Sequence, residues 1–337
     1  MKKKISFIGV AIAALGLFAG SAPAAPLYWD KSATPSYQGG DGTWSTNAAD
    51  ACWTSDGVTL TPWSDGNDAA FPANGGASSL VALINTVSAI SVTIGGAKYT
   101  VAITNGGQLS SASASYLGSE PGAANNTLAV IGGAGVKSLW NMGAQKLYVG
   151  YYYATATNNT LLIDGRGVPG SAVVTNLGPN LTEGLSVGAS GTPANGGHLI
   201  ITNGGAFFAN ADSYLNIGTL SALSWSNTVL VTGAGSVYSG HGTYLNGNQG
   251  SFIVEDGAVA SNRYWWFRSW SAKGNQMIVR SGARVYGSIH YIGMLNREEC
   301  GSSVSVIGGA GVTSVWDFTS YGANGILHIN GGTNNSM

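Results

Sequence analysis

The chain has 337 residues, of which only 9% are charged, and its formal net charge is −1. A soluble domain ordinarily carries about 25% charged residues, and a chain with no basic stripe cannot neutralise phosphates, so nucleic acid is excluded as a partner. Hydrophobic residues make up 44% and aromatics 10%, enough for a core and too much for a disordered tract.

Residues 1–24 have the organisation of a secretory signal peptide. Lys2, Lys3 and Lys4 form a basic start, Ile5 to Phe18 an apolar run, and Ala22-Pro23-Ala24 a small-residue cleavage site. Cleavage after Ala24 takes the 14 basic residues to 11 against 15 acidic ones. No later stretch is apolar and long enough to span a bilayer as a helix. The expected location is therefore extracellular, either secreted or at the cell surface.

Residues 25–104 read as a tryptophan-rich β module that caps the rest of the chain. Trp29, Trp44, Trp53 and Trp63 are separated by Gly, Asp, Ser and Thr turns, and two apolar runs close the segment. Core packing is the first expectation for these indoles, because each buries a large area. A sugar-stacking platform is the alternative.

From 105 to 337 one pattern recurs about eight times. A short apolar run ends in Gly, a polar stretch comes next, and a second apolar run closes on a Gly-rich turn. YLGSEPGAANNTLAVIGGAG from Tyr116 and LSVGASGTPANGGHLIITNGG from Leu185 are clear copies. The second runs centre on Val130, Ile163, Ile201, Val231, Val254, Val279, Val306 and Ile329, spaced 23 to 38 residues apart. Alternation within the runs is strand-like, and no copy has a helical period. A unit this short, holding two or three strands, predicts one rung of a right-handed parallel β-helix. A propeller blade needs about 40 residues. Stacked Val130, Ile163, Ile201 and Val231 would form an internal aliphatic ladder, and Asn126, Asn159 and Asn203 hydrogen-bonded ladders at the corners. The GAG, NGG and EDG steps supply the positive φ of a turn. Residues 166–184 and 219–226 read as external loops. The last copy is incomplete, so a continuation or a partner would cover the open end of the stack. Cys52 and Cys300 lie far apart and are not expected to pair.

The motifs Tyr28-Trp29-Asp30, Gly42-Thr43-Trp44-Ser45, Cys52-Trp53 and Trp63 to Phe71 carry a resemblance, together with Leu199 to Ala206. They resemble the autotransporter-associated β-strand-repeat proteins of Gram-negative bacteria, and the later copies are similar to passenger-type and sorting-signal-associated repeats. The resemblance implies a secreted, surface-displayed β-solenoid and no particular activity. The chain departs from that group in showing neither a C-terminal membrane barrel nor a hydrophobic sorting anchor.

Other β-helices act as polysaccharide lyases or hydrolases, which use clustered carboxylates. Here Asp164 and Asp256 hold similar turn positions with two rungs between them, and Glu255 adjoins Asp256. His198, His241, His290 and His328 are scattered, with no metal-ligand spacing, and no cofactor or metal is expected. One segment breaks the composition. Residues 263–284 hold four of six arginines and three of ten tryptophans. Trp265, Trp266, Arg268, Trp270, Arg280 and Arg284 are the candidate binding residues, by stacking and cation–π contact with extracellular polysaccharide or another cell-surface component. The competing expectation is a redecorated rung, with Trp inside and Arg outside. Tyr151-Tyr152-Tyr153 is a lesser candidate. The expected function is a structural or adhesive rod, with a carbohydrate-active enzyme or glycan-binding module as the alternative.

Overall fold

The computed structural model describes residues 26–32, 37–151, 153–177, 184–189, 196–210, 212–218, 224–267, 274–292, 301–319 and 326–329. Its chain is all-β, and the described residues hold one helical feature, the 3-10 turn Ala48–Asp50, capped by Asn47. Among the described residues the strands pair in parallel, except where Tyr28 and Trp29 meet Thr54 and Trp53, and isolated antiparallel bridges join Trp53 to Thr61, Gly133 to Val136 and Gly309 to Val312.

The strands fall into three columns, visited in the same order on each circuit. The first column is a ten-stranded sheet running from Gly42–Trp44 to Ser303–Ile307. The second contains Gln108–Ser111, Ser138–Asn141, Ala172–Asn176 and Ala206–Ala209. The third contains Ser115–Leu117, Leu147–Tyr151, Leu185–Ala189 and Tyr214–Ile217. Val237–Leu245 and Val259–Phe267, nine residues each, run through both of these columns without interruption. The second and third columns together make an eighteen-stranded sheet.

Alternation decides what faces inward. In the first column Ile103, Val130, Ile163, Ile201, Val231, Val254 and Val279 are all in register and fully buried. Val306 continues that register but is 42% exposed. Ile329 does not continue it: Ile326–Ile329 pairs with Ile289–Ile292 in the third column. The last copy is therefore a first apolar run rather than a second one. The two kinds of run differ only in the residues after them, so a short apolar run alone cannot separate them.

Residues 166–184 are also not a plain loop. Ala172–Asn176 is a second-column strand, and Val174 is fully buried between Trp140 and Phe207. Of residues 219–226, positions 219–223 lie outside the described residues, and Trp225 bridges to Asn248.

The corner chemistry divides in two. Asn126 and Asn159 are buried, and the Asn126 side-chain amide donates to the Asn159 Oδ1 at 2.9 Å. Asn203 takes no part in that ladder. It turns the exposed corner at φ +51° and donates to the Asp164 Oδ1 at 3.1 Å.

The tryptophan module shares both sheets with the repeats. Gly42–Trp44 pairs with Ser79–Leu83, and Asn67–Phe71 with Thr86–Ile94. Trp29, Trp44, Trp53 and Trp63 are at most 2% exposed and meet edge-on or tilted, at centroid distances of 4.7–5.2 Å. They pack as core, so they offer no sugar-stacking face.

Candidate functional site

The aromatic and arginine residues of 263–284 separate by strand alternation. Trp265 points inward: it is fully buried, meets Phe252 edge-on at 4.8 Å, and its Nε1 donates to the Tyr286 carbonyl at 3.2 Å. This corrects the expectation that Trp265 binds a ligand, since no solvent reaches it. Trp266, the next residue, faces outward and is half-buried. Arg268 and Trp270 lie outside the described residues.

The remaining arginines do not converge on Trp266. Arg280 ends a first-column strand, and its Nε donates to the Glu255 carboxylate at 2.7 Å. Arg284 begins a second-column strand opposite Val259, five residues before Tyr264 along the neighbouring strand. At about 3.3 Å per residue that is roughly 17 Å away.

Among the described residues, the rings around Trp266 are tyrosines. The third column places Tyr116, Tyr148, Ser186, Asn216, Tyr244, Trp266 and Tyr291 in one continuous register, in which Ser186 is buried and the others are half-buried. A parallel register two residues earlier holds Tyr214, Gly242 and Tyr264. The rings form a plate. Trp266 meets Tyr244 at 4.5 Å, Tyr264 at 5.2 Å, Tyr291 at 5.9 Å and Tyr214 at 6.0 Å. The interplanar angles to Tyr264 and Tyr214 are 23° and 15°, so both rings are stacked with the Trp266 indole.

Gly242 is what lets the plate close. A Cβ there would come within 2.7 Å of the Tyr214 ring, which occupies the space its side chain would take. His241 sits edge-on to both Tyr214 and Tyr264, at 5.2 and 5.0 Å. Burial disfavours its charged form and pulls its pKa below the ordinary histidine value. The Asp212 carboxylate works against that shift and Arg263 works with it. The Arg263 guanidinium lies 5.1 Å from the Tyr264 ring centroid.

A smaller plate lies further along the same face. Tyr116 and Tyr148 stack at 5.3 Å and 8°, and Tyr151 leans on both. Tyr152 lies outside the described residues. Ser186 and Asn216 interrupt the column between the two plates.

Sequence reasoning reached Trp266 but missed Tyr214, Tyr244 and Tyr291 around it. A signal was present: copies opening Tyr-Leu, Tyr-Val or Tyr-Ile place an aromatic one residue before an inward aliphatic, and hence on the outer face.

The acidic side chains are held at separate corners. Asp164 accepts from the Arg166 backbone and from Asn203, Asp256 accepts from Thr232 at 3.1 Å, and Glu255 is paired with Arg280. Three strand spacings, about 14 Å, separate Asp164 from the Glu255 strand. Among the described residues no group of three or more His, Cys, Asp or Glu could hold a metal ion. Cys52 is buried beside Trp29, and burial raises its thiol pKa, which suppresses the reactive thiolate. Cys300 lies outside the described residues. No helix among the described residues is long and apolar enough to cross a membrane.

No protein-family model matches the chain, and no curated protein or solved structure shows significant similarity to it.

Proposed function

We propose that this chain is an exported structural or adhesive β-solenoid, a right-handed parallel β-helix acting by spaced, repeated contact rather than by turnover. The observation that carries the reading is the unbroken register of the first column from Ser79 to Ile307. The segments joining its strands vary in length, yet equivalent residues still stack. Such a stack grows by about 4.8 Å per strand, so ten strands extend roughly 43 Å. Right-handedness is expected from the strong preference of parallel crossover connections for that hand. The basic-then-apolar leader supports export, and the resemblance to autotransporter-associated repeat proteins of Gram-negative bacteria supports display at a surface.

The test is expression of the whole chain in a Gram-negative host, with fractionation and N-terminal sequencing. Export predicts a mature chain beginning near Ala25 outside the cytoplasm. A full-length chain with Met1 intact and confined to the cytoplasm would overturn the reading. Beads coated with the exported protein should then adhere to cells or matrix. Failure to adhere leaves a structural role and removes the adhesive one.

A further inference from the structure

We propose that two copies of this chain associate face to face through the outer surface of the first column, with Leu162, Ile200, Leu230, Ile253 and Ile278 at the centre of the contact. The proposal uses the first-column register alone and does not depend on export.

The first observation is the make-up of these strands. A sheet with one face in water alternates apolar and polar residues, whereas parallel strands buried on both faces read as continuous apolar runs. The first column contains both kinds. Its early strands carry alanine at the middle outward position, at Ala82, Ala102 and Ala129. From Asn159–Asp164 to Gln276–Arg280 the strands instead contain LLI, LII, VLV, FIV and MIV. The first and third residues of each triplet are buried in the core. The middle residues stay in register across five strands, alternate away from the core and are half-buried, so solvent reaches every one of them. A continuous outward aliphatic row is what a sheet presents when a second sheet packs on it at about 10 Å.

The second observation selects the occupant, because the rows are complementary to their own reverse. A two-fold axis parallel to the strands and passing over Leu230 sets each strand against the one an equal number of steps away on the other copy. Leu230 then meets its own equivalent, Ile200 meets the partner's Ile253, and Leu162 meets the partner's Ile278. In the outward row two residues further along, Ile131 meets the partner's Ile307, Asp164 the partner's Arg280, and Thr202 the partner's Glu255. Apolar side chains meet apolar ones, an acid meets a base, and a hydroxyl meets a carboxylate. Ile307, which is 49% exposed, gains an apolar cover. Arg280 donates to Glu255 through its Nε, and its side chain is 47% exposed, so the guanidinium has further N–H groups to offer a second carboxylate. Such a contact is isologous and closes at two copies.

The third observation is size. Six strand spacings separate Thr127–Ile131 from Ser303–Ile307, which is roughly 29 Å, and five residues of strand add a width of roughly 16 Å. Over two partners the patch is on the order of 1,000 Å², at the lower limit of a specific interface. The expected dimer is therefore concentration-dependent and not obligate.

The experiment is sedimentation velocity of the purified full-length chain over a wide range of concentration. Wild type should pass from monomer to dimer as concentration rises. Leu230→Lys sets two like charges against each other on the axis and should stay monomeric, with the wild-type far-ultraviolet spectrum because the side chain points outward. Val259→Lys, at a half-buried outward position of the second column, should dimerise like wild type. Ile131→Lys and Ile307→Glu should each weaken association about tenfold or more. The double variant should regain most of it, since each introduced lysine then meets the glutamate introduced in the other copy. The two positions are roughly 29 Å apart within one chain, so that recovery has to come from a second copy. A wild type that stays monomeric at every concentration would overturn the proposal. A dimer that survives Leu230→Lys, or that Val259→Lys abolishes as fully, would place the contact elsewhere and overturn it too. If the two isoleucine defects simply add in the double variant, the two-fold arrangement fails.

Discussion

Asn159 ties its strand to the circuit before it. Its Oδ1 accepts from the Asn126 side chain, and its Nδ2 donates to the Ala123 carbonyl at 2.9 Å, all in a buried position. Removing it strands a buried donor and a buried acceptor, each costing about 1–3 kcal/mol. Asn159→Ala should therefore lose about 2–4 kcal/mol in urea unfolding. The neighbouring glycines carry the complementary constraint. Gly188 turns at φ +73°, and a Cβ would lie 2.1 Å from the Asn227 amide carbon, whereas Gly122 at φ +80° has nothing within 4 Å. Both alanine variants incur the left-handed penalty of about 1–2 kcal/mol. Gly188→Ala adds overpacking of about 1–3 kcal/mol, and the difference between the two unfolding midpoints measures it. Histidines set the response to acid. Burial lowers the pKa of His198, and of His241 within the plate. The unfolded chain then binds more protons between each folded pKa and about 6.5, so stability is full above about pH 6.5 and falls as pH drops through that window. Melting temperature should decline between pH 7.5 and 5, and His198→Gln should flatten part of the decline. A flat profile in the wild type would refute this account.

At the scale of elements, strand columns differed in how plainly they could be read. The first column was legible because LLIDG, LIITNGG and VLVTGAG alternate cleanly and end on a turn residue. Its predicted register is reproduced from Val130 to Val306. The second column was not, since QLSS, SLWN and VASN are short, polar and irregular, and their inward residue varies from Leu109 through Trp140 to Ala260. Pairing with strands above and below holds them extended, and that information lies outside the local sequence. The same cause misled the reading of residues 166–184, where Ala172–Asn176 looked like part of an insert. Of the candidate site, Trp266 was legible as an anomaly of composition. Tyr214 and Tyr244 were not, because their meeting with it depends on cross-strand register. The unforeseen strand has its own core test. Val174→Ala should cost about 2 kcal/mol as a buried strand position. A change within about 0.5 kcal/mol is what a surface loop would give, so the unfolding midpoint decides between them.

Across the whole molecule, each strand touches mainly the strands one circuit before and after it. Stability in such a stack is close to a sum of neighbour terms, and opening spreads from its ends. The two ends of the first column are not equivalent. At the start, the buried indoles of Trp29, Trp44 and Trp53 pack on Phe71, and through it on Tyr99, with Trp63 packed on Trp44 and Trp53. At Ser303–Ile307, the described residues give pairing on one side only, and Val306 is 42% exposed where the rest of its register is fully buried. Hydrogen exchange should therefore be graded along the chain. Amides of Gly197–Thr202, paired on both sides, should exchange slowest, and those of Ser303–Ile307 fastest among first-column strands. Trp53→Ala should loosen the first end of that gradient. Truncating a buried Trp costs about 3–5 kcal/mol, and nearest-neighbour coupling confines the loss to the strands it touches. Amides of Gly42–Trp44 and Ser79–Leu83 should then lose protection while Ser303–Ile307 is unchanged. If protection instead fell equally in every strand, the stack would open as one cooperative unit and the tryptophan module would stabilise the whole molecule, not its first circuits alone.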